Sequence, residues 1–552
     1  MTELVRLRAT ALVRRAFVVL LAWAAFAAGF LGAERAFRAG TPVRLAAGAA
    51  VAAAFLAVVL GGGDRLTGFV SLLSARAEEV SAGRWLAGCV AAATLVRLAW
   101  GALLRPRQVS DMELYDAFAR SLAERGVFEH GGDRVFGPPG VSLLLAPLVK
   151  LFGAGTYLPL VVNVALAAGT VLVAGALALL VADGRTMRFA TLLVALWPNA
   201  VLLSGLVSKE LLVLFLLPLG ALLYLRATEA AGPDGKGLLF AAGLALGAAT
   251  LAQPNTLVLL PAFAALELLR RAPLRSAVLR LGLLGAGTAL AVSPWTVRNA
   301  LLFGRFIPVS VNFGHAMLVG NHDGADGGFR PVRTPYRGMP EIEYDRLALR
   351  KALDWIRENP GRFLALVPRK QMVFLGDDGD GAYHALKWAY GIGDARYALA
   401  KAVSNGWWVG VLALAAVALS GRRGREADRD PRLALGMLFF FCLLALLSVT
   451  ESGSRHHLAL SPFLATIGDD LNTSTALLGQ AVMVSSLVGA LVGLAIGPSA
   501  EWLGYRRLLL FGLVALVLCN VGIALGPAFG TATSRFGYQL PRTFRLAVGV
   551  RF

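Results

Sequence analysis

The sequence predicts an all-α polytopic membrane protein with about 13 transmembrane helices. Hydrophobic residues make up 57% of the 552-residue chain, and charged residues make up only 16%. The apolar residues come in blocks, and a block of about 20 such residues spans a bilayer as a helix. Most Lys and Arg residues behind the net charge of +19 lie in short loops between these blocks, as expected for cytoplasmic loops. The charge therefore indicates membrane orientation, and we expect no nucleic-acid partner.

Residues 1–84 are expected to form an N-terminal extension of two membrane helices. An apolar run at 16–31 follows Arg14 and Arg15, and a second apolar run covers 45–63. The first run also fits a signal peptide, since Ala25-Phe26-Ala27 resembles a cleavage site. Because another span follows at once, we interpret it as a retained anchor with a cytoplasmic N-terminus.

Residues 85–297 are expected to form the transmembrane core, with an outer loop at 105–155. The apolar stretch 138–153 within this loop reaches only about 24 Å as a helix, short of a roughly 30 Å bilayer core. We therefore expect a helix that lies at the outer surface. The alternation of basic clusters predicts further crossings at 85–104, 157–182, 189–204, 211–225, 237–252, 256–269 and 281–295.

Residues 298–405 are expected to form a small α/β segment on the outer face. They contain a strand-like run at 307–311, a glycine-rich loop at 320–328 and an amphipathic stretch at 344–358. The sequence from Asp377 to Gly381 resembles part of a calcium loop but lacks the remaining ligands, so we interpret it as a solvated turn. Residues 406–463 are expected to return to the core, with crossings at 407–420 and 433–449.

The last 90 residues change character. Residues 464–529, with two apolar runs and the segment GPSAEWLGYRRLLL, resemble the start of a major facilitator transporter. Residues 530–552 end in alternating apolar and polar or small residues, which is typical of an outer-membrane barrel strand and resembles the closing strand of TonB-dependent receptors. One strand cannot close a barrel, so we interpret the chain as a chimera. A disordered tail with chance alternation is the alternative.

The first long polar segment runs from Val109 to Gly140 and begins with an acidic pair, Asp111 and Glu113. Carboxylates near a bilayer are costly unless they serve a function, so the pair is a candidate catalytic site. The structural alternative is a capping box, in which Ser110 and Glu113 close the start of a helix.

Six segments between residues 85 and 463 carry a further signal. They are, in order, SDMELYDAFARSLAERG, PPGVSLLLAPLVKLFG, ALWPNAVLLSGLVSKELLVLF, SPWTVRNALLFGRFIPVS, WIRENPGRFLALVPRK and ESGSRHHLALSPFL. Together they resemble GT-C glycosyltransferases of the protein O-mannosyltransferase and lipid A aminoarabinose transferase branch, glycosyltransferase family 39. Met112 stands where family members often have Glu, which leaves Asp111-x-Glu113.

This resemblance implies a GT-C-like fold and an inverting transferase that uses a polyprenyl-phosphate sugar as donor. The acceptor is a hydroxyl or phosphate of a glycan, lipid or protein, and the implied location is the periplasmic face of a bacterial inner membrane. Asp111 is the implied general base. Asp111 and Glu113 are also the candidate ligands for a divalent cation, Mg²⁺ or Mn²⁺, and no other cofactor is expected.

Five further residues are candidates for substrate binding, and the arginines and lysines among them are candidates for contact with a phosphate leaving group, which needs cations nearby. Arginine can fork onto phosphate oxygens, although interfacial anchoring is the alternative for an arginine beside a span. Glutamate in a first helical turn also complements the helix dipole. The candidates are Glu210, Arg298, Lys370, Arg455 and His456, with Lys209 as a weaker one. The competing functions are a transporter of major facilitator type and an inactive fusion.

Overall fold

A computed structural model describes residues 2–37, 40–61, 79–104, 106–155, 157–230, 233–332, 339–391, 394–420, 428 and 430–467. These residues are helical, without a β-strand among them; an isolated bridge joins His130 and Asp133. The all-α prediction is confirmed. The predictions of a transporter-like helix pair and a terminal strand fall almost entirely on 468–552, outside the described residues.

Eight helices in the described part of the chain are long and apolar enough to cross a membrane, and the protein is a multi-pass membrane protein. The apolar part of the second helix, Thr41–Ala57, is shorter than these spans, as is Gly140–Phe152. The spans are Leu7–Glu34, Ala82–Leu104, Leu158–Val181, Lys209–Ala227, Asp234–Ala252, Leu274–Phe303, Ala395–Ser420 and Pro431–Val449.

The helices are numbered in chain order. The first ten are α1 Thr2–Phe37, α2 Thr41–Gly61, α3 Ala82–Leu104, α4 Asp111–Arg125, α5 Gly140–Phe152, α6 Leu158–Val181, α7 Gly184–Ala195, α8 Pro198–Leu203, α9 Lys209–Ala227 and α10 Pro233–Ala252. The others are α11 Leu260–Arg270, α12 Leu274–Phe303, α13 Phe313–Gly320, α14 Glu341–Glu358, α15 Pro360–Leu375, α16 Asp380–Tyr390, α17 Ala395–Ser420, α18 Ala434–Val449 and α19 Ser461–Ile467. Short 3₁₀ helices cover Pro254–Leu259, Pro431–Leu433 and Ser454–Leu460.

Two of the predicted crossings are interrupted, and the two apolar runs of 464–529 lie outside the described residues. The crossing expected at 189–204 is split into α7 and α8, and the one at 256–269 into a 3₁₀ helix and α11. The first break lies at Pro198, inside the predicted crossing, and the 3₁₀ helix of the second begins at Pro254, two residues before the predicted start at 256. Proline has no backbone N–H and disfavours a helical residue before it. The predicted crossing 189–204 continues through Pro198, although that proline is a signal for a break.

The N-terminal helix is part of the bundle, because α1 packs against α15, α17 and α18. Arg14 forms two hydrogen bonds to the Asp428 carboxylate at 2.7 and 2.9 Å. Phe17 packs edge-on against Phe440 with ring centroids 5.4 Å apart. The predicted extension 1–84 therefore contributes a helix to the core.

Helices α10 and α12 cross at very close range through two glycines. A Cβ on Gly243 would lie 2.2 Å from the Leu284 carbonyl oxygen, and one on Gly287 would lie 2.2 Å from the Phe240 carbonyl oxygen. Small residues allow membrane helices to approach in this way. The crossing fixes the direction of α10, whose C-terminal end at Ala252 leads into the candidate site.

Within 298–405 the described residues form helices joined by loops, and residues 307–311 form no strand. Side chains of α12 bind their backbone carbonyl groups instead: Asn299 donates to Ile307 and Val309, and Trp295 donates to Val309 at 2.8 Å. These carbonyls are therefore not available to a β-ladder. Helix α17 runs without interruption across the predicted boundary at 405, and α12 crosses the one at 297.

Candidate active site

Asp111 lies in a cluster of charged side chains that three distant parts of the chain bring together. Arg455 donates a hydrogen bond to Asp111 Oδ2 at 2.9 Å, and Lys209 Nζ lies 3.9 Å from the same oxygen. Lys209 also donates to the Tyr115 hydroxyl at 2.9 Å. The Asp111 side chain is 40% exposed, so a substrate can reach a carboxylate that already has two cations beside it.

Carboxylates surround Arg455 on its other sides. Its guanidinium lies 4.0 Å from Glu210 Oε1 and 3.9 Å from Glu451 Oε1. The Ser208 hydroxyl donates to Glu210 Oε2 at 2.9 Å, whereas Glu210 Oε1 is buried without a hydrogen bond. Glu210 and Glu451 therefore hold the guanidinium in place, while the Asp111 carboxylate remains accessible from outside the protein.

Three helices begin at this cluster: α4 at Asp111, α9 at Lys209 and α16 at Asp380. Unpaired N–H groups give a helix start a partial positive charge that favours anions. Asp111, Glu210 and Asp380 lie in the first turns of these helices and complement this charge. Arg455 and Lys209 are therefore the cations that an anionic substrate group such as a phosphate would contact.

The capping-box alternative is wrong, because the Ser110 side chain makes no hydrogen bond to the start of α4. Ser110 instead has a positive φ of 55°. Such a conformation costs a non-glycine residue of order 1–3 kcal/mol and persists where the surroundings enforce it. Here it precedes Asp111, whose side chain is held by Arg455.

The charges in the cluster reinforce one another. Burial alone raises the pKa of Asp111, but Arg455 and Lys209 outweigh it and hold that pKa below its ordinary value. Burial lowers the pKa of Arg455, whereas Asp111 and Glu210 raise it well above the ordinary value. Burial raises the pKa of Tyr115 to about 12. Asp111 is thus ionised at neutral pH, and the Tyr115 hydroxyl keeps its proton.

His456 lies beside this cluster and meets two side-chain amides. Gln253 Nε2 is 3.3 Å and Asn255 Nδ2 is 3.2 Å from His456 Nδ1. Burial, Arg455 and Lys209 together lower the pKa of His456 well below its ordinary value. Both amides come from the proline break after α10 and were not predicted from the sequence.

A second polar network lies deeper in the bundle and was missed entirely. Asp378 accepts hydrogen bonds from Trp197 at 2.9 Å and Asn199 at 2.6 Å, and His457 Nε2 lies 3.1 Å from Asp378 Oδ1. His457 Nδ1 donates to the Phe374 carbonyl at 2.6 Å. Asp378 and His457 are both fully buried, and burial raises the pKa of Asp378.

The prediction of a solvated turn at Asp377–Gly381 is therefore wrong. Asp377 lies 3.3 Å from Lys401, and His384 lies 3.4 Å from Asp380, with all four side chains largely buried. A Cβ on Gly381 would lie 2.6 Å from the Asn199 carbonyl oxygen. The turn packs against the break between α7 and α8, a long-range contact that no local spacing indicates.

Three predicted site residues lie outside the cluster around Asp111. Glu113 is exposed. Arg298 donates to the Arg134 carbonyl at 2.9 Å and stacks over Trp295 at 4.5 Å. Lys370 is fully buried and donates to Asn321 at 2.8 Å, and burial lowers its pKa to about 8. Lys370 also donates to the Val449 carbonyl at the end of α18. The predicted substrate-binding roles of Arg298 and Lys370 stay predictions.

The geometry does not bring Asp111 and Glu113 together as metal ligands. Among the described residues, no group of three or more His, Cys, Asp or Glu side chains could hold a metal ion. Arg455 already contacts the Asp111 carboxylate. The divalent cation stays a prediction, and the chemistry below is derived without it.

No family model matches the chain, and neither does any curated protein. Among solved structures, the archaeal oligosaccharyltransferase AglB from Archaeoglobus fulgidus, in complex with an inhibitory peptide and a dolichol-phosphate, is 13% identical with a TM-score of 0.42. The match covers 81% of this chain and 56% of AglB, so the chain spans about half of that enzyme.

A second similar structure is ArnT from Cupriavidus metallidurans bound to undecaprenyl phosphate, which is 17% identical with a TM-score of 0.37. That match covers 75% of this chain and 80% of ArnT. The A. fulgidus oligosaccharyltransferase in complex with Zn and sulfate is 14% identical, with a TM-score of 0.40 and coverage of 80% and 52%. These likenesses assign no residue in this chain.

Proposed function

We propose that the protein is a membrane glycosyltransferase that moves a sugar from a polyprenyl-phosphate donor to an acceptor hydroxyl or phosphate. The observation that carries this proposal is the cluster of Asp111, Arg455 and Lys209 at the start of α4 and α9. It combines a reachable carboxylate with two cations, which are the groups that such a transfer needs. The six sequence segments that resemble GT-C transferases support the same reaction class.

The donor phosphate would bind at Arg455 and Lys209, with the lipid tail in the bilayer. The acceptor oxygen attacks the anomeric carbon on the face opposite the phosphate, and its proton passes to Asp111. The bond between the anomeric carbon and the phosphate oxygen breaks, and polyprenyl phosphate leaves with the electron pair. Attack on the opposite face inverts the anomeric configuration, and the two cations stabilise the charge that develops on the leaving group.

The ion pair in the free protein makes Asp111 a weak base, because its pKa lies below the ordinary value. A phosphate at Arg455 competes for the cations that hold this pKa down. A nearby anion also disfavours the charged carboxylate. Donor binding therefore raises the basicity of Asp111, and the base becomes effective when the sugar is in place.

The acceptor is a glycan, a lipid or a protein, and the reaction takes place at the periplasmic face of a bacterial inner membrane with the N-terminus in the cytoplasm. The alternation of basic loops supports this orientation. Cysteine labelling at position 111 in a cysteine-free protein tests it. Labelling from outside intact cells is expected, and labelling only after permeabilisation would reverse the topology.

Mass spectrometry of lipids and glycans from cells with and without the protein identifies the acceptor. The purified full chain in liposomes is then given that acceptor with either a polyprenyl-phosphate sugar or a nucleotide sugar. We expect transfer from the lipid donor and none from the nucleotide sugar. Unchanged lipids and glycans in cells, together with no turnover of the lipid donor, would contradict the proposed function.

A further inference from the structure

The environment of His456 Nδ1 restricts where this imidazole carries its proton. The nitrogen faces two NH₂ groups, those of Gln253 and Asn255, at 3.3 and 3.2 Å. In this orientation both NH₂ groups donate to Nδ1, which then accepts and carries no proton, while Asn255 Oδ1 is buried without a hydrogen bond to a described residue. The neutral ring then has its proton on Nε2, which makes no hydrogen bond to a described residue.

The turn that carries these amides is held firmly. The Gln253 backbone N–H donates to Ala249 at 2.8 Å, and the hydroxyl of Thr256 donates to the Gln253 carbonyl at 3.0 Å. Thr250 and Thr256 are hydrogen-bonded through their hydroxyls at 3.0 Å. These bonds fix the backbone from which the two amide side chains project.

Charged groups on every side of His456 affect its protonation. Arg455 and His457 flank it in the chain, Lys209 approaches from α9, and Asp380 from α16. The cations Arg455 and Lys209 oppose a positive ring, whereas Asp380 favours it. Burial and the cations prevail, in agreement with the two amide donors at Nδ1.

We propose that Gln253 and Asn255 are positioning residues that hold His456 neutral with its proton on Nε2, so that His456 donates a hydrogen bond to an uncharged sugar oxygen of the donor. The inference rests on the proposed function, because it assigns the sugar to the site beside the phosphate cations. Arg455 and Lys209 supply the positive charge for the phosphate. A neutral donor next to them recognises a hydroxyl without adding a third cation.

The first test is nitrogen NMR of the full chain, labelled with ¹⁵N-histidine in nanodiscs without substrate. The chain has six histidines, so the His456→Asn spectrum identifies the signals of His456. We expect the neutral ring with a protonated Nε2 across about pH 5–8, the range in which an unperturbed histidine titrates. A protonated Nδ1, or an imidazolium near neutral pH, would overturn the proposal whether or not the protein transfers sugar.

The role of the two amides is tested by variants that replace each amide with a carboxylate, which accepts hydrogen bonds and does not donate them. Asn255→Asp and Gln253→Glu each place a carboxylate against Nδ1, which should draw a proton onto that nitrogen and raise the ring pKa by roughly 1–3 units. Asn359→Asp adds the same charge at the start of α15 and is the control. A His456 signal that responds equally in all three variants would refute the positioning role.

The second test separates sugar from phosphate. Gln at position 456 keeps an N–H donor near the place of Nε2, whereas Glu offers only acceptors. We expect His456→Gln to retain most of the transfer rate, and His456→Glu to lower kcat/KM roughly tenfold or more, about the value of one hydrogen bond. Binding of plain polyprenyl phosphate should be the same in His456→Gln and wild type. Equal loss of transfer in both variants would exclude a role for the Nε2–H donor.

Discussion

Two carboxylates in this bundle, Asp111 and Asp378, each pair with a basic side chain but lie in opposite surroundings. Asp111 is 40% exposed and contacts the cation Arg455. Asp378 is fully buried and contacts His457, Trp197 and Asn199. A substrate can reach the Asp111 carboxylate. The Asp378 carboxylate is enclosed, and its hydrogen-bond donors are all side chains of the protein. Of these two acidic residues, Asp111 is the one that a substrate can reach.

The largest expected effect is on stability, at the closed network. Asp378→Leu removes the acceptor of three buried donors and should lower the free energy of unfolding by about 3–5 kcal/mol, as for other broken buried pairs. Thermal or denaturant unfolding in detergent measures it. Asp354→Leu, at a pair with Arg357 in which both side chains are exposed, is the control and should cost less than about 1 kcal/mol. Similar losses at both positions would remove the distinction between the two carboxylates.

Substitution of Arg455 should have a large effect on the transfer reaction, in contrast to the stability effect expected at Asp378. Arg455→Ala is expected to lower kcat/KM for the lipid donor about a hundredfold, and Arg455→Lys should restore part of it because lysine lacks the forked geometry. Initial rates against donor concentration provide the measurement. Donor kinetics at the wild-type level in both variants would reduce Arg455 to a membrane anchor.

Arg298 lies near the end of another membrane span and serves as the comparison for Arg455. It donates to the carbonyls of Arg134 and Phe128 and to Asn299 Oδ1, and it stacks over the Trp295 ring. Arg298→Lys should therefore destabilise the fold by about 1–2 kcal/mol through lost hydrogen bonds and stacking. If its predicted role as a phosphate ligand is correct, the donor KM rises as well. Unfolding and donor kinetics of one sample separate a scaffold residue from a substrate ligand.

The pH dependence of stability should show the Asp111 ion pair as a small effect. Because Arg455 and Lys209 hold the folded-state pKa of Asp111 below its ordinary value, the pair stabilises the fold above about pH 4 and loses this contribution as pH falls further. The exposure of Asp111 limits the effect to roughly 1 kcal/mol or less. Melting temperatures of wild type and Asp111→Asn should therefore converge at low pH. Parallel curves would contradict the ion pair.

Glu113 should have the smallest effect of all. Because it is exposed and lies apart from the cluster, Glu113→Gln is expected to leave transfer unchanged, and a chelator should affect the variant and wild type alike. Glu210→Gln is the buried comparison and should impair transfer by loosening Arg455. A loss of transfer in Glu113→Gln that added Mg²⁺ or Mn²⁺ partly restores would establish the predicted metal role.

The apolar blocks made the all-α membrane fold predictable, because length and hydropathy alone determine whether a helix can span a bilayer. Spans such as α6 and α9 lie within a few residues of their predicted bounds. Pro198 is a local signal for the break between α7 and α8, but the predicted crossing 189–204 continues through it. Pro254 lies between two predicted crossings, where the chain breaks as expected. The positions of Gln253 and Asn255 beside His456 depend on such a break.

Individual site residues could be predicted from short sequence segments. Contacts between residues that lie far apart in the sequence could not. Asp111, Glu210, Arg455 and His456 were predicted, and the structure brings them together. The burial of Asp377 and Asp378 was not, because it depends on Lys401, Trp197 and His457 from other helices. Spacing within one segment contains no information about such partners.

The transfer rate of Asp111→Asn, measured beside the thermal stability of the same sample in liposomes, tests the central assignment most directly. Asparagine keeps the shape of the side chain and removes its basicity, and a general base contributes typically 10²–10⁴-fold in rate. We predict a loss of this size, with the fold intact and plain polyprenyl phosphate still bound. Transfer near the wild-type rate by the folded variant would contradict Asp111 as the catalytic base.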